Sequence, residues 1–386
     1  MVVIKSVDAK SIFDSRKEKT IEVSIKTNVG DFKASAPNGK SKGKFEAKPW
    51  KKNLEEDIKT LKRFSDYFSQ ENLDFFDDLK RIEDIVDGHV GANTIFALES
   101  AILKAMAKEK KKEIWEIVDS KAKKFPRLVG NVIGGGQHSH SERKPDFQEF
   151  LLIPDEKSVK ENFETMKKTK EKVERDLKEF DEKFKEKKND EDAWETSLNE
   201  REVLDLLLKY EIPLGLDVAA SSFYSRKKYH YKNPPLKRDV NEQRKYISNL
   251  IENFDLFYVE DPFGEEDFEN FSELTKDFKD KLIVGDDLTV TNPSRFLKAI
   301  KMKSVSGIIV KPNQIGPLTE VKDVCEMAKK HGIKIVFSHR SGETEENILA
   351  DLAFGFGADF FKCGITGKER EIKIKRLIEI EKNLHK

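Results

Sequence analysis

The sequence predicts an α/β protein in which an α+β amino-terminal section precedes a (β/α)8 barrel of TIM type. Three observations lead there. Residues 1–36 alternate polar and apolar side chains in the manner of strands, and residues 51–122 repeat apolar side chains at helical spacing. Beyond residue 210, short apolar runs recur roughly every 25 residues, each ending in a polar or charged side chain, which is the period of one βα unit.

Each element follows in order. In TIEVSIKTNVGDFKASA, Val23 and Ile25 share a face and Asn28 to Gly30 mark a turn, so the first section reads as an antiparallel meander. Pro37 to Lys44 is too polar and too rich in glycine for a regular element and reads as a loop. Leu54, Ile58 and Leu61, then Ile95, Leu98, Ile102 and Met106, mark helices that Pro126 brings to an end. That places a boundary near 125, with one domain over 1–125 and a second over 126–386. Residues 155–208 read as a long, charged, solvated amphipathic helical stretch. The runs IPLGLD, LFYVED, LIVGDD, GIIVK, IKIVFSH and ADFFK then end at Asp217, Glu260, Asp286, Lys311, His339 and Lys362. Buried strands alternating with helices call for a parallel sheet, and polar residues at many strand ends fit a barrel; RLVGNVI and QEFLLIP bring the strand count to eight.

Composition narrows the partners. Lys+Arg and Asp+Glu number 72 each among 386 residues, so no net field recruits nucleic acid or an anionic membrane. The lysine-rich stretches Lys108 to Lys112 and KENFETMKKTKEKVERDLKEFDEKF interleave with acids and carry no stacking aromatics, so nucleic-acid binding is not expected. Two cysteines, Cys325 and Cys363, exclude a disulfide framework and a cysteine-built zinc site. No apolar run approaches the ~20 residues that span a bilayer, so a soluble, cytoplasmic protein is expected.

The strand ends suggest chemistry. In a barrel, Asp217, Glu260 and Asp286 would converge from successive strands on one mouth, where three carboxylates repel one another unless a divalent cation sits among them; oxygen ligands without cysteine suit Mg²⁺. Singly, each would more often be an N-cap or an ion-pair partner; it is the run of three consecutive strand ends that favours the metal. Lys311 beside such a cation would be pushed toward its neutral form and serve as a general base, or it is a salt-bridge partner to a carboxylate of the site. Arg340 and Ser341 offer a fork of donors and a hydroxyl suited to phosphate or carboxylate, or HRSGE is only a polar turn.

At this point the residues resemble a family. DSR at 14–16, GGQH at 135–138, QEF at 148–150, LDVAASSFY at 216–224, VEDPF at 259–263, VGDDLTVTNP at 284–293, KPNQIGPLTE at 311–320, SHRSGET at 338–344 and KCG at 362–364 resemble enolase, the phosphopyruvate hydratase of glycolysis, and GANTIFALESAILKA at 91–105 resembles its amino-domain helix. The resemblance implies an enolase-type barrel with rearranged first helices, an α+β amino domain, Mg²⁺ dependence and a homodimer or higher homo-oligomer. It implies Asp217, Glu260 and Asp286 as metal ligands, with Ser41 helping a second Mg²⁺. Lys311 becomes the base that removes the C2 proton of 2-phosphoglycerate. Lys362 matches the holder of the substrate carboxylate, Arg340 and Ser341 the phosphate contacts with His339 beside them, and His138 and Glu149 residues of a mobile loop. In NDEDAW, Glu191 stands where the acid of a GDEGG segment is expected, and the charge of Glu149 and of bound phosphate would raise its pKa.

Departures fall on loops. Asn38 to Gly43 reads NGKSKG where the resemblance expects SGAST and then glycine, the residues after DSR are Lys17, Glu18 and Lys19, and Asp192 and Ala193 replace two glycines. Three readings follow. They are a working enolase, a paralogue abstracting a proton next to the carboxylate of another acid, and a catalytically weak binding homologue using Lys40, Lys42, Lys44 and Lys48 as an anion patch.

Overall fold

A computed structural model describes residues 1–40, 43–69 and 71–384. Strands β1 (Val2–Phe13), β2 (Lys19–Thr27) and β3 (Gly30–Ser35) form the expected meander, and β4 (Asn72–Leu73) extends it in the order β3-β2-β1-β4. Ile21, Val23 and Ile25 face inward at every second position because side chains alternate across a strand. Helices α1 (Leu54–Phe68), α2 (Leu79–Val86), α3 (Ala92–Lys110) and α4 (Ile114–Asp119) follow. Buried Asp57 of α1 accepts from the Gly91 N–H at 2.7 Å and the Thr94 hydroxyl at 2.8 Å, which fixes the start of α3. Helix α3 is apolar on most sides because it lies between this sheet and the barrel.

The barrel strands are β5 (Arg127–Gly134), β6 (Glu149–Leu152), β8 (Leu214–Asp217), β12 (Tyr258–Glu260), β13 (Leu282–Gly285), β14 (Gly307–Val310), β15 (Lys334–Ser338) and β16 (Phe360–Gly364), and pairing of β16 with β5 closes the ring. A two-residue strand, β7 (Trp194–Glu195), pairs with β5 outside it. Val129, Leu151, Ile153, Tyr258, Leu282, Val284, Ile309, Val336 and Phe360 pack one end of the barrel interior. The barrel helices are α5 (Val159–Phe180), α6 (Glu200–Leu208), α7 (Val240–Phe254), α8 (Phe268–Asp277), α9 (Pro293–Met302), α10 (Leu318–Lys330), α11 (Ile348–Gly355) and α12 (Lys368–Leu384).

Three features differ from the sequence reading. Strand β6 runs antiparallel to both neighbours, because residues 135–148 return to it without a helix, so its first residue, and not its last, lies at the mouth. The stretch 155–208 is not one helix: α5 stops at Phe180 and residues 181–199 turn back across its buried face before α6 begins. A small sheet of β9 (Tyr224–Ser225), β10 (Lys228–Lys232) and β11 (Pro235–Arg238) follows β8, a feature the sequence reading did not mark. Among the described residues no helix is long and apolar enough to cross a membrane.

Candidate active site

The strand ends meet as their positions require. Asp217 and Glu260 close β8 and β12 in adjacent register, and antiparallel β6 sets Glu149 opposite Asp217. Lys362, on β16 across the ring, places Nζ 2.9 Å from Asp217 Oδ2, 2.8 Å from Glu260 Oε2 and 3.2 Å from Glu149 Oε2. All four side chains are buried. The Tyr258 hydroxyl donates to Glu260 at 2.6 Å, and Gln148 donates to Asp217 at 3.3 Å. Lys311, just past β14, bonds to Asp286, just past β13, and Gln314 donates to the other oxygen of Asp286 at 3.1 Å. Lys311 was expected to be driven toward its neutral form. Among the protein groups alone the balance runs the other way: burial is the largest single influence and lowers its pKa, but the neighbouring carboxylates, Asp286 foremost with Glu260, together raise it.

Glu260 Oε1 is buried without a hydrogen-bond partner, and the carboxylates of Asp217 and Asp286 bear on the same side chain. Such an orphaned anionic oxygen fits a hard divalent cation. Among the described residues, the candidate ligand atoms lying within 4.8 Å of one another form two sets, Asp261 with Asp286 and Asp287, and His138 with Glu149 and Glu191. Asp217 and Glu260 join neither; the ammonium of Lys362 lies between them.

A second cluster faces this one. His138 Nδ1 lies 3.6 Å from both Glu149 Oε1 and Glu191 Oε1, His339 Nε2 lies 3.6 Å from Glu191 Oε1, and Asn131 donates to Glu191 Oε2 at 3.0 Å. The expected charge state of Glu191 is overturned. Burial acts to raise it, but His339, His138 and Arg370 hold its carboxyl well below the usual range. Glu149 is instead raised well above its ordinary value by burial and by the charge of Glu191. The surroundings thus push the two carboxyls of the pair in opposite directions, Glu149 up and Glu191 down.

Loops complete the pocket. Arg340 places Nη2 2.9 and 3.1 Å from the two oxygens of Glu46 and Nη1 3.3 Å from Asn313 Oδ1. Asn38 and Gly342 exchange backbone hydrogen bonds, the Lys40 N–H donates to Ser341 Oγ at 2.7 Å, and Lys40 Nζ pairs with Asp190 at 2.7 Å. A Cβ at Gly39 would collide with the Arg340 guanidinium, so the loop lies directly on that side chain. Ser41 and Lys42 lie outside the described residues. Of the proposed lysine patch, Lys40 is paired with Asp190, and Lys44 lies 3.4 Å from Glu266. Sequence reasoning passed over Glu46, Gln148, Gln314 and Asp261. The last three stand inside the quoted motifs and were within reach, whereas nothing local in KFEA marks Glu46 as a partner of residue 340.

Comparison with known proteins agrees with the geometry. Residues 4–118 match the family model "Enolase, N-terminal domain", and residues 122–386 match "Enolase, C-terminal TIM barrel domain". An enolase of Pyrobaculum aerophilum is 37% identical over 96% of this chain and 94% of its own length. Enolases of Archaeoglobus fulgidus and Natronomonas pharaonis are 34% and 35% identical, covering 100% and 99% of this chain and 98% and 100% of their own. With both halves matched in order and the strand-end set gathered at one mouth, the chain belongs to the enolase family.

Proposed function

We propose that this enolase-family lyase catalyses the reversible, Mg²⁺-dependent dehydration of 2-phosphoglycerate to phosphoenolpyruvate, in the cytoplasm and as a homodimer, with an amino domain over 1–125 and a catalytic barrel over 126–386. The observation that carries the reading is the meeting of Lys311 and Lys362 with Asp217, Glu260 and Asp286 at one end of a closed barrel. Asp217, Glu260 and Asp286 would hold the first cation, with Ser41 toward a second. The cation supplies stabilisation of the negative charge that develops on the substrate carboxylate once the C2 proton leaves.

The remaining roles belong to this chain's own groups. Lys311 accepts the C2 proton at Nζ, which requires that its amine be free of the bond to Asp286. Lys362 binds the substrate carboxylate, and Arg340 and Ser341 bind the phosphate in place of Glu46 and the Lys40 N–H. The C3 hydroxyl leaves with a proton as water. Glu149 and Glu191, both within 3.6 Å of His138, share one proton for that step and titrate as a unit, while His339 and Asn131 orient Glu191.

Purified protein given 2-phosphoglycerate should develop the ultraviolet absorbance of phosphoenolpyruvate with Mg²⁺ and stay flat with chelator. Absence of product with Mg²⁺ present sinks the reading. A screen of other 2-hydroxy and phospho acids then separates the paralogue from the binding homologue.

A further inference from the structure

Glu191 reaches the site from a turn that leaves the barrel, and the residue after it is held in an unfavourable shape. Asp192 has φ +63°, a left-handed conformation that glycine adopts freely and that side chains disfavour. Such a conformation persists where the surroundings over-determine it. The surroundings here are ionic. Lys170, on the buried face of α5, directs Nζ at the Asp192 carboxylate 3.1 Å away, at the Asp192 main-chain carbonyl and at the Thr366 hydroxyl, and that hydroxyl also bonds to the Asp192 carboxylate. The Lys170 side chain is 4% exposed, although its helix read as solvated from sequence. Charged neighbours are few. Lys188 lies 3.3 Å from Asp192 on the turn itself, and Glu371 faces Lys170 from α12.

We propose that Lys170 is a positioning residue for Glu191: by joining Asp192 on the acid-bearing turn to Thr366 beyond β16, it holds the turn at the height where Glu191 meets His138 and His339. This rests on the reading of Glu191 as part of the proton-donating pair. Lys170 lies outside the barrel and touches neither the strand-end carboxylates nor the loop over Arg340; its ammonium also stands 5.8 Å from the ring of Trp194, where the same turn ends. An unpaired buried ammonium is unfavourable, so its three acceptors mark a built contact and not a stray surface pair. Two further bonds secure the same turn from the opposite side, Lys40 to the Asp190 carboxylate at 2.7 Å and Arg370 to the Asp190 carbonyl at 3.0 Å. Because a displacement of about 1 Å at a catalytic group lowers turnover by on the order of 10²-fold, loosening the turn should act on kcat while the substrate contacts at Arg340, Ser341 and Lys362 keep KM.

The test uses the full chain with Mg²⁺ and 2-phosphoglycerate. Lys170→Met should lower kcat by roughly 10- to 100-fold with KM within about twofold of wild type. Lys170→Met/Asp192→Gly, which removes the stranded carboxylate and places glycine at the positive φ, should recover kcat to within about threefold. Thr366→Val keeps the ion pair and covers the case in which Lys170→Met fails to fold; it should lower kcat severalfold at constant KM. Wild-type kcat in Lys170→Met, a loss that the double variant does not recover, or, if Lys170→Met is unfolded, wild-type kcat in Thr366→Val, each overturns the proposal. Glu191→Gln is measured alongside. If it keeps turnover, the reading of Glu191 fails and the positioning role with it; if it is inactive while Lys170→Met is unimpaired, only the positioning role fails.

Discussion

The strand-end wall of the site and its loop wall meet over the same few side chains but are held by different means. Asp217, Glu260 and Lys362 stand on strands whose register is set by a closed ring of backbone hydrogen bonds, so their positions follow from the sheet. Glu46, Lys40, His138 and Glu191 ride on loops, and side-chain pairs fix them: Glu46 to Arg340, Lys40 to Asp190, His138 to Glu149 and Glu191, Asp192 to Lys170. The departures from the family's motifs gather on the second wall. A loop can exchange one set of partners for another, whereas a strand-end residue moved by one position would point to the other face of the sheet.

That contrast can be broken or sharpened by variants on each wall. The largest effect belongs to the strand wall: Lys311→Ala should lower kcat at least ~10³-fold with KM little changed, read from phosphoenolpyruvate formation, because it removes the proposed general base. Next, Glu260→Gln should raise the Mg²⁺ concentration for half-maximal activity on the order of 100-fold, since it removes a charge from the oxygen set; an unchanged Mg²⁺ titration would separate Glu260 from the metal.

The loop wall gives smaller effects. Glu200, at the start of α6, accepts from the Asp146 N–H at 2.8 Å and so ties down the loop that carries His138. Burial raises its carboxyl from 4.5 to about 7, so the fold favours the protonated form. The stability it contributes is full below about pH 4.5 and is lost as pH rises through about 7. Glu200→Gln keeps the acceptor without the charge, and thermal melts should show it more stable than wild type by about 3 kcal/mol at pH 8 and indistinguishable near pH 4. Smallest of all, Lys40→Ala should raise KM no more than about fivefold, because a partly exposed ion pair is worth at most about 1 kcal/mol. A larger loss there would make the loop wall as unforgiving as the strand wall.

What was legible in the sequence divides along the same line. The apolar runs ending at Asp217, Glu260, Asp286, Lys311, His339 and Lys362 carried the barrel and its strand-end wall, because strand periodicity is local and a strand's end is visible in the run itself. The direction of β6 was not visible, since QEFLLIP reads the same in a parallel or an antiparallel pairing; only the return of residues 135–148 without a helix turned it over and brought Glu149 to the mouth. Charge states failed for a related reason. The charge of Glu149 and of bound phosphate was expected to raise the pKa of Glu191, but the two imidazoles that face it come from residues 138 and 339, and their nearness is a property of the fold.

Local spacing of apolar and polar side chains, with the motifs at strand ends, was enough by itself to set the (β/α)8 architecture, the eight strands and the family. Tertiary structure alone decided which charge sits beside which: Glu46 beside Arg340, Lys40 beside Asp190, Lys170 beside Asp192. The physical reason is range. Backbone periodicity acts over a few neighbouring residues, whereas an ion pair acts over a few ångströms between residues whose separation along the chain carries no sign of their meeting.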